Sequence, residues 1–160
     1  MKKLFVFVLA ASAFAACIKS STPPVTNNCV SVAPSVEETS IKAFTNADTL
    51  DYTKDTSYIY YSIIDSGSGP VAPTTIFFTY KVALLNGTMI DQRTTPVNAA
   101  VSNLIKAFQY MSRFYKKGAH IVLVIPSSLA YGCEGAVSNG TYIIPPNSVL
   151  YYNITITDVQ

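Results

Sequence analysis

Between Val101 and Tyr115 the apolar residues fall at helical spacing, with Leu104, Ile105, Phe108, Met111 and Tyr115 on one stripe and Gly118 as a stop. Around this stretch the period drops to two. In Thr75 to Leu85, Ile76, Phe78, Tyr80, Val82 and Leu84 share one face, while Phe77, Thr79, Lys81 and Ala83 share the other, until Asn86-Gly87 breaks the strand. His120 to Ile125 turns Ile121, Leu123 and Ile125 inward. The last strand sets Leu150, Tyr152, Ile154 and Ile156 against Tyr151, Asn153, Thr155 and Thr157. Ser57 to Ile64, mostly aromatic and β-branched, reads as a further strand that ends in the Gly-rich Asp65 to Pro70. A lone amphipathic helix among strands must bury its stripe on a sheet face. The fold class is therefore α+β, an antiparallel sheet wrapped around one short α-helix.

The first residues read as an export leader. Lys2 and Lys3 precede an apolar run from Leu4, and small residues lead to Ala15-Ala16-Cys17. The run is too short to span a bilayer, which takes about 20 residues. Residues 1–16 resemble a bacterial lipoprotein signal in which Cys17 is acylated and becomes the first residue, although Phe14 departs from the usual Leu; an ordinary signal peptide with a chance cysteine is the alternative. Residues 17–34, rich in Ser, Thr, Pro and Asn, read as a flexible tether that would hold the domain about 20 Å from the lipid. Residues 35–56 form an accessory segment. There Ser35-Val36-Glu37-Glu38 has the form of a capping box, and Ile41 and Phe44 predict a short helix from Val36 to Asn46. Residues 57–160 make up the main domain.

Removing Lys2 and Lys3 from the eleven basic side chains leaves nine, equal to the nine acidic ones, so the mature chain is close to neutral. It carries no basic stripe for nucleic acid or an anionic membrane face. His120 is the single histidine, on the outward face of its strand where solvent exposure is expected. A Ser-His-Asp site or a Cys/His metal centre has little to build on, so neither a metal nor a cofactor is expected. Cys29 and Cys133 lie beyond the leader, in a compartment that permits disulfides. A bridge between them would close a loop of about 100 residues and stabilise by about 4 kcal/mol. Two free thiols are the alternative.

The last third of the chain reads Ile125-Pro126, Leu129-Ala130-Tyr131-Gly132, a polar loop, Ile143-Ile144-Pro145-Pro146-Asn147, and a final strand from Val149 to Val159. That order resembles the C-terminal half of the FKBP-type peptidyl-prolyl cis-trans isomerases. The resemblance extends upstream to Tyr58. Tyr80, Leu84, Asn86-Gly87 and Ile90-Asp91 match the family's central strand and turn, and Leu104-Ile105-Lys106-Ala107-Phe108 matches the segment that usually reads Val-Ile-x-Gly-Trp.

Carried over position by position, the resemblance implies a pocket for a proline ring. Phe108 would form the floor in place of Trp, and Tyr80, Ile90, Leu104, Ile105, Tyr131, Ile144 and Tyr152 the walls. Asp91 would make a polar contact at the rim, and the Ile105 N–H and Tyr131 hydroxyl would donate to substrate carbonyls. For each apolar member alone, core packing is a sufficient explanation; only the constellation is specific. Three departures besides Phe108 bear on the site. Ile90 replaces an aromatic wall, Gln92 to Ala100 is short and lacks the family's aromatic, and the loop from Gly132 to Tyr142 is long, serving as a flap with Tyr142 or as a surface excursion held by Cys133. A shallower cradle is expected.

The implied function is isomerisation of X-Pro bonds in exported proteins by a lipid-anchored, monomeric envelope protein, with some holdase activity. A peptide-binding module of the same fold without catalysis is the competing reading. The chemistry asks for no covalent step: rotation breaks amide resonance against a barrier of about 18 to 20 kcal/mol. A thousandfold acceleration needs only about 4 kcal/mol of differential binding.

Overall fold

The computed structural model describes residues 29–71 and 73–160. The leader, Cys17 and the tether up to residue 28 lie outside the described residues. The chain runs α1 (Pro34–Ala47), β1 (Thr53–Lys54), β2 (Tyr60–Asp65), β3 (Thr75–Leu84), β4 (Met89–Ala100), α2 (Lys106–Met111), β5 (His120–Ile125), β6 (Ala136–Ser138), β7 (Thr141–Ile144) and β8 (Leu150–Val159). Six strands form one antiparallel sheet in the order β1-β2-β5-β8-β3-β4, and β6 and β7 form a separate hairpin.

The alternation read from the sequence sets which face is buried. Ile76, Phe78 and Val82 of β3, and Leu150, Tyr152, Ile154 and Ile156 of β8, meet Ala107, Phe108 and Met111 of α2 in one apolar cluster. Strand β5 departs from simple alternation, because Val122 and Val124 are as buried as Ile121, Leu123 and Ile125. The reason at Val124 is α1, which lies across the other face of the sheet. There Ile41 joins Tyr60 and Val124 in a second cluster, flanked by Phe44 and Tyr151. The accessory helix is thus a second layer on the sheet.

Three local expectations are corrected. The Ser35 to Glu38 capping box does not form: α1 starts two residues before the expected Val36, with Ala33 as its cap residue and Pro34 in the first turn, where a missing N–H costs nothing. Glu38 instead meets the ammoniums of Lys54 and Lys42 at 2.8 and 3.0 Å, which hold its carboxyl down at about 2. The stripe from Val101 to Tyr115 is not one helix. A 3-10 turn at Val101–Asn103 is followed by extended Leu104 and Ile105 before α2, and a second 3-10 turn occupies Ser112–Phe114. The Gln109 side-chain amide stabilises the break by donating to the carbonyls of Ser102 at 3.2 Å and Leu104 at 2.8 Å. His120 is half-buried, with its ring 2.9 Å from the Asn153 amide oxygen, so the expected solvent exposure is not observed.

Candidate active site

The site lies where the inner face of β3, β4 and β8 meets α2. Val82 pairs with Tyr152 of β8 and Asp91 of β4, and Tyr80 pairs with Ile154 and Arg93. Asp91 is therefore the diagonal neighbour of Tyr80 across the strands, within reach of its ring. The Tyr80 hydroxyl donates to Asp91 Oδ2 at 2.7 Å, and the Gln92 N–H donates to Oδ1 at 2.8 Å. These two bonds, the Tyr80 bond foremost and with Arg93 Nε 3.5 Å away, hold the Asp91 carboxyl below its usual range. Burial, then the Asp91 carboxylate, push the Tyr80 phenol up.

Phe108 and Tyr152 form the floor. Their ring centroids are 5.0 Å apart and nearly perpendicular, at 74°, an edge-to-face arrangement favoured by the ring quadrupoles. Tyr80 stands 6.1 Å from Tyr152. Phe108 and Tyr152 are only 3% and 7% exposed, so this floor is nearly closed to solvent. Ile90, Leu104 and Ile105 remain half-buried around it, and Ile144 is buried. The break before α2 has a further consequence: the Ile105 N–H has no acceptor among the described residues, at the position where the family resemblance puts a donor.

Tyr131 is set apart from the other expected site residues. It is 37% exposed and follows the 3-10 turn Ser127–Leu129, outside the sheet and outside the apolar cluster. Burial is the main reason the Tyr152 phenol is pushed up, and the neighbouring Tyr131 hydroxyl adds to it. Cys29 and Cys133 are bridged, with Cα atoms 5.4 Å apart. A cleft of about 280 Å3 lies beside Tyr131, walled by Ser31, Lys106, Ala130 and the bridge. Another cleft, of about 240 Å3, lies at β3, β4 and β8 and is lined largely by polar groups such as Thr79, Lys81, Arg93 and Asn153, none of which suits an apolar ring. The long loop after Cys133 is the hairpin β6–β7, turned at Asn139-Gly140 with φ of 50° and 77°, as a two-residue hairpin turn requires. Its Val137, Tyr142 and Ile143 side chains are exposed, while Ile144 reaches the core.

Phe78 was not singled out from the sequence as a site residue. Its ring lies 6.1 Å from Phe108 and 5.7 Å from Tyr80, beneath the floor. The signal was present in the β3 alternation, which puts Phe78 on the Tyr80 face. Val97, half-buried on the same cluster, stands in the short segment that lacks an aromatic.

Residues 67–157 match the family model for FKBP-type peptidyl-prolyl cis-trans isomerase. The chain belongs to this family. It is 33% identical over 114 residues to the FKBP-type peptidyl-prolyl cis-trans isomerase FkpA of Buchnera aphidicola subsp. Schizaphis graminum, covering 68% of this chain and 43% of that protein. To FkpA of Escherichia coli K12 it is 32% identical over 107 residues, covering 64% and 38%. The chain thus spans less than half the length of these curated relatives. The crystal structure of a peptidyl-prolyl cis-trans isomerase from Pseudomonas syringae pv. tomato superposes with a TM-score of 0.66 at 27% identity, covering 80% of this chain and 94% of that one. The FKBP-like fold follows from these matches together with the six-stranded sheet and α2.

Proposed function

We propose that this FKBP-family domain accelerates cis-trans interconversion of X-Pro bonds by binding the twisted imide better than the planar one. The observation that carries the reading is the convergence of Tyr80, Ile90, Leu104, Ile105, Phe108, Ile144 and Tyr152 in one apolar cluster, with Asp91 bonded to Tyr80 at its rim. A pyrrolidine ring lies on the Phe108–Tyr152 floor against Ile90, Leu104 and Ile144. The free Ile105 N–H and the Tyr131 hydroxyl receive the flanking carbonyls. The Tyr80–Asp91 bond keeps the Tyr80 phenol directed along the wall. Planar imide is the more charge-separated form, so desolvation on an apolar floor favours the rotated one. Phe108, Tyr80, Asp91 and Tyr131 are the catalytic residues in this reading, and no cofactor takes part.

The same proposal covers the setting. Acylated Cys17 anchors the chain at the cell envelope, the tether lets the domain reach exported polypeptides, and the protein acts as a monomer with some capacity to hold unfolded clients. Among the described residues no helix is long and apolar enough to cross a membrane. A second reading, a peptide-binding module without catalysis, draws on the nearly closed floor, because a ring that cannot be enveloped gains less differential binding. A protease-coupled isomerisation assay on Leu-Pro and Phe-Pro peptides separates the two. A rate above background at micromolar protein supports isomerase action; none above background leaves the binding module.

A further inference from the structure

We propose that Glu37, on α1 and outside the stretch matched to the family, is a positioning residue for the loop that carries Tyr131. This rests on the reading above, in which the Tyr131 hydroxyl meets substrate.

Tyr131 has no strand partner to fix it. What fixes it is the backbone of Ser127, through its N–H and its carbonyl. The Ser127 carbonyl accepts from the N–H of Ala130 at 2.9 Å and of Gly132 at 2.8 Å, the two amides that bracket Tyr131. The Ser127 N–H in turn donates to Glu37 Oε2 at 2.9 Å, across 90 positions of sequence. Both ends are buried, Glu37 at 8% exposure and Ser127 at 0%. A carboxylate accepting an N–H away from water makes a short, strong bond, and removing it strands the donor. The carboxylate therefore anchors the backbone of the residue from whose carbonyl both flanking amides hang.

A second tie acts on the other side of Tyr131. Cys29 is bridged to Cys133, the Cys133 N–H lies 3.3 Å from Ser31 Oγ, and the Val32 N–H lies 3.3 Å from Asn147 Oδ1. Asn147 N–H donates to the Gly132 carbonyl at 2.7 Å, closing the ring of contacts. Gly132 has φ of +56°, and a Cβ there would meet Ser31 Oγ at 2.8 Å, so the strap from Cys29 to Val32 lies directly against the loop. None of these groups belongs to the apolar cluster that contains Phe108 and Tyr152. Their common effect is to hold Tyr131 over it.

The test uses the full mature chain with Glu37→Leu, Glu37→Gln and Tyr131→Phe, singly and combined. Glu37→Leu is expected to lower kcat/KM about fivefold, as Tyr131→Phe does, while Glu37→Gln, whose amide oxygen can still accept the bond, stays within about twofold of wild type. In the Tyr131→Phe background Glu37→Leu should change the rate by less than about twofold, because the two residues act as a unit. Equal losses in both backgrounds, or no loss in either, overturn the proposal. Amide hydrogen exchange gives a readout that needs no activity. Glu37→Leu should speed exchange at Ala130 and Gly132 at least about tenfold with the β5 and β8 amides unchanged. Unchanged loop exchange, or opening of the whole sheet, contradicts it. An inactive wild type whose loop responds to Glu37 as expected overturns the isomerase reading and supports the tie.

Discussion

Tyr80 and Tyr131, the two tyrosines of the proposed site, are held in place by different physics. Tyr80 belongs to a strand paired on both sides, with Ile154 and Arg93 opposite it, and its hydroxyl is fixed by Asp91 eleven positions away. Tyr131 stands on an irregular turn and depends on α1 and the strap from Cys29 to Val32, some hundred residues earlier in the chain. One wall is part of the sheet, and the other is fastened to it from outside. The lesson is that the activity proposed for residues 67–157 depends on residues before that stretch.

Substitution at the shared floor should disturb both walls most. Phe108→Ala removes a ring packed on Phe78, Tyr115 and Tyr152 and is expected to cost about 3–5 kcal/mol in urea unfolding, with loss of isomerase rate. A cost under about 1 kcal/mol would mean that the floor is not the core element described here. Replacing Cys29 and Cys133 by Ser should act on one wall only. It frees a bridge that spans 104 positions and is expected to cost about 2–4 kcal/mol, leaving the Tyr80 to Asp91 bond intact by NMR. A simultaneous change at Tyr80 would erase the distinction.

Tyr131→Phe and Tyr80→Phe sharpen it further. Each removes one hydroxyl from a half-open site, so stability should move by under about 1 kcal/mol while the rate falls about fivefold. An unchanged rate for Tyr131→Phe would remove it from the site. The smallest effect concerns pH. Because Asp91 titrates below its ordinary value in the folded chain, its bond to Tyr80 contributes stability above the ordinary carboxyl range, and that contribution is lost as pH falls through the depressed folded value. The stability gap between wild type and Asp91→Asn should thus narrow below about pH 4. A gap that widens with acidification would reverse the assignment.

Alternation in β3 and β8 and the helical stripe at Phe108 and Met111 made the sheet, its buried face and the core side of α2 legible, because each depends on neighbours two to four positions apart. The match of Tyr80 to Asp91 across a turn was likewise readable, since a hairpin joins them. The break at Leu104-Ile105 was not, because apolar spacing does not register a backbone whose carbonyls are taken by Gln109. Nor was the layer made by α1. Glu37 read as part of a helix start, and its true partner, the Ser127 N–H, leaves no local trace. Burial of Val124 on the second face follows the same rule, in that a covering element cannot be seen from the strand it covers.

The central claim is that a prolyl ring on the Phe108–Tyr152 floor turns over faster than in water. Two-dimensional exchange NMR of a short Phe-Pro peptide, with the protein at a small fraction of the peptide concentration, measures this with no coupling enzyme. Uncatalysed isomers exchange over tens to hundreds of seconds, too slowly for cross-peaks at sub-second mixing times. The account predicts cis-trans cross-peaks with the wild-type protein that vanish with Phe108→Ala. Peptide signals that broaden on binding without any exchange cross-peak would contradict it and identify a site that holds proline segments without turning them.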